Sequence, residues 1–200
     1  MTIRLNGPRR RYSAMPRAFF GLCAVLLAAL TACTPIRRDV DYEIDAPARS
    51  NLIKGVPFYA QTAYDCGPAS MAGVLNYYGR SVTPEQVEEA IGRENLRGTV
   101  TLDLILYPRN RGFTSEWIED MPVRELTSSI DRGEPLILMV DYGMANVNQN
   151  HFLVAVGYTP EEIIVNSGKT EHKKTPWSEF LYRWDRADRW ALRILPKERP

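Results

Sequence analysis

Four residues of this chain have types and surroundings suited to nucleophilic chemistry: Cys66, His151, Asn166 and Gln61. Cys66 stands in Gln61-Thr-Ala-Tyr-Asp-Cys-Gly-Pro-Ala-Ser70, where a polar, turn-prone stretch gives way to a helical pattern. Pro68 suits a first helical turn, because its missing N–H would have no partner there. Met71, Val74, Tyr77 and Tyr78 then recur at helical spacing, and Gly79 supplies a stop. A thiol at a helix N-terminus meets free N–H groups and the positive end of the macrodipole, which favour the thiolate and hence a nucleophile. The bland alternative is a small buried hydrophobe, since free cysteine is among the most buried residue types. Gln61, just upstream, could aim its amide at an oxyanion beside the Cys66 N–H. His151 opens one apolar run and Asn166 ends the next. A hairpin would bring both to one end, with Asn166 fixing the imidazole and leaving its other nitrogen for Cys66. The other histidine, His172, lies in the charged stretch from Gly168 to Lys174 and reads as a solvated loop residue. Two histidines and one thiol spread this way make no zinc site, and no phosphate-binding glycine loop is present, so neither metal nor cofactor is expected.

The elements that must position these residues fall in a clear order. After the Cys66 helix, Thr83 and Gln86 form a capping box with Pro84 at the first helical position, and this second helix stops near Gly92. A third candidate helix starts at Thr101, and Pro108 should break or kink it. Gly112–Trp117 looks extended, and Pro122–Arg132 reads as a helix with Leu126 and Ile130 inward. From Pro135 the pattern changes to strands. Leu136–Val140 is a continuous apolar run, as in a strand buried on both faces, and His151–Tyr158 and Glu162–Asn166 read as a hairpin. Trp177–Trp184 could add a helix and Trp190–Leu195 a closing strand. Helices first and strands afterwards predict an α+β fold with an antiparallel sheet.

The first 32 residues read differently. Arg4, Arg9, Arg10, Arg11 and Arg17 make a basic start, and no acidic residue precedes Asp39. Residues 18–30 carry no charge, which is short for a membrane span and suits a signal-peptide core; Met15 offers an alternative start. Leu30-Thr-Ala-Cys33 resembles the bacterial lipoprotein box, with lipid on the Cys33 thiol; an ordinary signal peptide is the alternative. Removing residues 1–32 takes five arginines and no carboxylate, leaving 20 basic against 24 acidic residues, a net of −4. That balance offers no basic face for nucleic acid. Cys23 leaves with the signal and Cys33 is acylated, so Cys66 remains as a single thiol in an exported chain, where cysteines normally pair. Residues 33–50 read as a lipidated cysteine and flexible tether, and residues 51–196 as the domain.

Val56-Pro-Phe-Tyr-Ala-Gln61 running into Asp65-Cys-Gly-Pro-Ala-Ser70, with His151-Phe152 opening a valine-rich strand, resembles the peptidase C39 family of papain-like double-glycine cysteine peptidases. The resemblance spans roughly Gly55 to Leu195. It implies a papain-like fold, with N-terminal helices packed on an antiparallel sheet. It makes Cys66 the nucleophile, His151 the general base and acid, and Gln61 the oxyanion donor. The family's third member is usually an aspartate; the matching position is read as Asn166, the residue type that papain uses. The implied function is a lipid-anchored peptidase facing the periplasm, cleaving after Gly-Gly in a leader or exported protein, with a peptide or protein substrate and an export system as candidate partners. Rival readings are a cell-envelope amidase or acyltransferase, and a catalytically silent module that binds a leader peptide. Thr34 after Cys33, where an aspartate would signal retention, leans towards the outer membrane by resemblance to lipoprotein sorting. Acyl chains contribute about 0.8 kcal/mol per buried CH₂, so several on Cys33 would hold the domain to a bilayer. Cys33→Ser should therefore move the processed protein from the membrane to the soluble fraction on fractionation; continued membrane association would contradict the anchor.

Overall fold

The computed structural model describes residues 47–61, 65–93, 98–144 and 147–198; the expected signal segment, Cys33 and the tether as far as residue 46 lie outside the described residues. Helix α1 (Cys66–Tyr77) is the centre of the domain. Every residue from Cys66 to Leu75 is buried, so α1 has no solvent stripe and is packed all round. It lies along strands β5 (Leu136–Asp141) and β6 (Asn150–Tyr158). The chain segment before it is laid directly on the helix. A Cβ on Gly73 would come within 2.8 Å of the Pro57 carbonyl oxygen, so only glycine lets residues 53–61 run this close and deliver Gln61 to the helix start.

Helix α2 (Pro84–Ile91) begins as the sequence predicts. Gln86 N–H donates to Thr83 Oγ1 at 3.3 Å, and Thr83 N–H donates to Gln86 Oε1 at 2.9 Å, closing a capping box. Strands β2 (Gly92–Arg93) and β3 (Gly98–Thr99) form a small ribbon before helix α3 (Thr101–Arg109), which tolerates Pro108 in its last turn. Strand β4 (Phe113–Ile118), helix α4 (Val123–Asp131), β5 and β6 follow. Next come strands β7 (Glu162–Ser167) and β8 (Thr170–Pro176), helix α5 (Trp177–Asp185) and strand β9 (Ala191–Pro196). The sheet is antiparallel, in the order β4-β9-β5-β6-β7-β8, and a short strand β1 (Asn51–Leu52) pairs with the far end of β6. Helices and antiparallel sheet together make the expected α+β fold.

Strands β5 and β6 are buried almost without interruption, which requires cover on both faces rather than one. On the face that carries Phe152, that ring meets Trp190 edge-on at 5.5 Å, and Trp184 of α5 donates from its indole N–H to the Trp190 carbonyl. Residue alternation leaves His151, Leu153 and Ala155 on the opposite face. The stretch from Gly168 to Lys174, read from its charges as a loop, is in fact a two-residue turn and most of β8. Gly168 (φ +59°) takes the first turn position between Ser167 and Thr170, the place a II′ turn reserves for glycine. His172 (φ +51°) is the extra residue of a bulge in β8 and is exposed.

The connection from β5 to β6, which leads into His151, is fixed by a buried carboxylate. Asp141 Oδ1 accepts the N–H groups of Gln149 and Gly143, both at 2.7 Å, and Oδ2 takes the Arg186 guanidinium at 2.8 Å. The two N–H groups first, and then Arg186, hold the Asp141 carboxyl below the ordinary carboxylate range. A depressed carboxylate contributes stability that is fully present above its unfolded pKa, about 3.9, and is lost as pH falls through the folded value. Asp141→Asn should accordingly lower the thermal midpoint at pH 7, and the gap from the parent protein should close as the pH drops below about 4. Melting curves followed by circular dichroism across that range check both parts.

Candidate active site

Cys66 is the first residue of α1 and is buried, with 8% of its surface exposed. The N–H groups of Phe152 on β6, of Gly67 and of Cys66 itself act on its sulfur, each favouring the thiolate. The thiol thus lies near the backbone of Phe152, the residue that follows His151, where α1 packs on β6. A cleft of about 390 Å³ opens beside His151, with Tyr142, Gln149, Ser167 and Gly168 also among the residues lining it.

The structure places the expected third member differently. Asn166 lies opposite Val154, three residues along β6 from His151, in a stretch of β6 that pairs regularly with β5. Side chains directly opposite share a face and neighbours along a strand alternate, so Asn166 is on the Phe152 face and His151 is on the other. Asn166 and His151 make no hydrogen bond. Instead Asn166 Oδ1 accepts the N–H of His172 at 3.0 Å, satisfying the backbone group that the β8 bulge displaces, while Nδ2 is buried without a partner among the described residues. The residue on the histidine's side is the next one. Ser167 Oγ lies 3.0 Å from His151 Nε2 and is itself buried.

Gln61 is also buried, and it ties the two halves of the site together. Its backbone N–H donates to the Gly168 carbonyl at 2.8 Å, and its Oε1 accepts the Gly168 N–H at 3.2 Å. Its Nε2 donates to Ser70 Oγ at 3.3 Å, one turn along α1 from Cys66. Only one of its two amide hydrogens is used in that bond, which leaves a second donor at the helix start. Gln61 therefore links α1 to the β7–β8 turn, and through Ser167 to the imidazole.

The electrostatics depart from what a helix-start cysteine suggests. Burial pushes the Cys66 thiol above its ordinary value, and the Asp65 carboxylate adds to the push; the Phe152 and Gly67 N–H groups oppose it without prevailing. Burial likewise pushes His151 below its ordinary value, and the ammonium of Lys173 adds to that. Near neutral pH both shifts favour the uncharged forms, a thiol and an imidazole rather than a thiolate and an imidazolium. The ring tautomer then matters. With Nε2–H donating to Ser167 Oγ, the lone pair is on Nδ1 and Nδ1 is the base. Among the described residues no group of three His, Cys, Asp or Glu side chains could hold a metal ion, and no helix is long and apolar enough to cross a membrane.

Because Ser167 and not Asn166 faces the ring, a carboxylate should act on His151 only from position 167. Ser167→Asp should raise the His151 pKa by about one unit or more, the usual effect of an adjacent opposite charge. Asn166→Asp, on the other face, should leave it nearly unchanged. Titration of the imidazole signals by NMR distinguishes the two; an equal or larger rise with Asn166→Asp would contradict the register.

Comparison with known proteins agrees with this architecture. Residues 53–192 match the Peptidase_C39 like family. A Bacillus anthracis protein assigned to the C39-like peptidases superposes with a TM-score of 0.62 at 16% identity, covering 75% of this chain and 99% of that one. The peptidase domain of Streptococcus ComA, a bi-functional ABC transporter involved in a quorum-sensing pathway, superposes with a TM-score of 0.59 at 21% identity, over 71% and 99% of the two chains. A double glycine motif protease from an AMS/PCAT transporter, solved in complex with the leader peptide, gives 0.52 at 24% identity, over 74% and 98%. Among curated proteins none matches this sequence. With its fold shared and the match spanning 53–192, the chain belongs to the Peptidase_C39 like family.

Proposed function

We propose that this domain is a cysteine peptidase in which Cys66 is the nucleophile and His151 the base and acid. The observation that carries the reading is the placement of three groups: a buried thiol near the Phe152 N–H, His151 one residue earlier on β6, and Ser167 Oγ 3.0 Å from its Nε2 at the wall of a cleft. As the sulfur attacks a peptide carbonyl, its proton passes to His151 Nδ1, and the imidazolium keeps Nε2–H on Ser167. The tetrahedral oxyanion forms at the start of α1, where the Cys66 N–H and the unused hydrogen on Gln61 Nε2 are its donors. His151 then returns the proton to the leaving amine as the C–N bond breaks. Water attacks the thioester, gives its proton to His151 and releases the acid, restoring the thiol. Asn166 in this account supports the β7–β8 hairpin, and Ser167 takes the orienting role.

The narrower form of the proposal is cleavage after Gly-Gly in a leader or exported protein. A structurally similar double glycine motif protease, solved with its leader peptide, supports it. The domain is held by lipid on Cys33 at the periplasmic face of a membrane, on our reading the outer one. A second reading, a leader-binding module without turnover, is favoured by one observation: the group at His151 Nε2 is the Ser167 hydroxyl, which brings no charge to stabilise an imidazolium. Incubation of the purified protein with reporter peptides carrying Gly-Gly, Ala-Ala or Leu-Arg before the reporter separates the two. We expect cleavage after Gly-Gly, lost in Cys66→Ala and reduced by about 10²–10⁴-fold in His151→Ala, the range for general acid–base catalysis. Tight binding with no cleavage by the parent protein would make it the binding module.

A further inference from the structure

Among its described lining residues the cleft beside His151 is cationic, without a counter-charge. Lys169, in the β7–β8 turn, and Lys173, on β8, both line it, and no carboxylate is among its described lining residues. Lys173 lies opposite Val165. That residue is two from Ser167 on β7, so the ammonium stands on the imidazole's face of the sheet. The next lysine, Lys174, has a carboxylate partner in Glu162 at 3.9 Å, whereas neither Lys169 nor Lys173 has one among the described residues. Tyr142 also lines the cleft; its ring lies 5.6 Å from that of His151, and the Arg183 guanidinium sits 4.4 Å from the Tyr142 ring centroid. Gln149 and Asn150 add to the lining with side chains that can donate without adding charge. Acidic residues gather elsewhere, with Asp65, Glu85, Glu88 and Glu89 lining a separate pocket. Two ammonium groups around one partly desolvated space repel each other, and an anion placed between them removes that repulsion.

We propose that this cleft is a carboxylate-binding subsite, and that the substrate carries a carboxylate next to the bond that Cys66 attacks. The proposal rests on the peptidase reading for the nature of that bond, and on the cleft alone for the charge. The volume, about 390 Å³, is at the small end for ligand sites and suits one or two residues of a peptide. A carboxylate there is bound by Lys169 and Lys173 through charge-assisted hydrogen bonds, with Gln149 and Asn150 as further donors. The same chemistry is offered by a glutamate or aspartate side chain and by a free chain terminus.

The test is fluorescence anisotropy on the full chain carrying Cys66→Ala, so that binding is read without turnover. The probes are labelled hexapeptides of one Gly-Gly sequence: a set with glutamate scanned through the positions flanking Gly-Gly and an amidated end, the matching glutamine set, and a glutamine peptide with a free terminal carboxylate. We expect the best glutamate or free-carboxylate peptide to bind about tenfold more tightly than its neutral counterpart, as charge-assisted pairing implies. The preference should weaken as salt rises, disappear in Lys169→Gln/Lys173→Gln and return in Lys169→Arg/Lys173→Arg. Tighter binding of the internal glutamate identifies a side-chain carboxylate, and tighter binding of the free terminus identifies a chain end. Equal binding of charged and neutral peptides, a preference that survives the double glutamine variant, or no binding of any carboxylate peptide at millimolar concentration overturns the subsite. A persistent preference alongside no cleavage by the parent protein would overturn the peptidase reading and leave the subsite standing.

Discussion

The register of β6 against β7 is the constraint on which the rest of the site depends. With Val154 opposite Asn166, the face of the sheet towards the imidazole receives Ser167, and the opposite face receives Asn166. A shift of one residue would exchange the two, because side chains alternate with a period of two. Three features pin the register from different directions: the irregularity between Ala155 and Gly157, the bulge that Asn166 caps through the His172 N–H, and the Gly168 turn that Gln61 grips on both its N–H and its carbonyl. Gln61 also reaches Ser70 on α1, so the strand that presents the imidazole's partner is tied to the helix that presents the thiol.

Desolvation is the second determinant. A helix N-terminus and the N–H groups of Phe152, Gly67 and Cys66 favour a thiolate, yet the Cys66 thiol is pushed up, because removing a charge from water outweighs them. An imidazolium would have offset this if a carboxylate stabilised it, but a serine hydroxyl contributes orientation and no charge. Lys173 works in the same direction as burial. The outcome is a pair at rest as thiol and imidazole, in which proton transfer belongs to the attack instead of preceding it.

Much of this could be read from the chain alone, and the unread parts have identifiable causes. The α2 capping box and the Cys66 helix were legible because caps, proline positions and glycine stops are local signals. The run Leu136–Val140 and the hairpin after it were legible because continuous apolar runs of this length between turn signals mark strands buried on both faces. β8 was hidden because it is an edge strand dressed in Lys, Glu and His, the residues that also mark loops. Ser167 was missed because choosing between adjacent residues needs the register, and bulges set that register from residues distant in sequence. The raised thiol was missed because burial of a helix start is a tertiary property. Asn166 looked apt by residue type alone, and its amide is spent on the backbone of the neighbouring strand.

The neutral pair is the central claim, and the solvent isotope effect on alkylation of Cys66 tests it most directly. The rate of modification by iodoacetamide is measured at neutral pH in water and in deuterium oxide, with His151→Ala as the reference. If the thiol proton moves to His151 during attack, the parent protein shows a normal isotope effect that the variant loses. A rate unchanged by deuterium, at a pH where the parent protein already reacts fully, would mean that a thiolate exists before attack and would contradict the account.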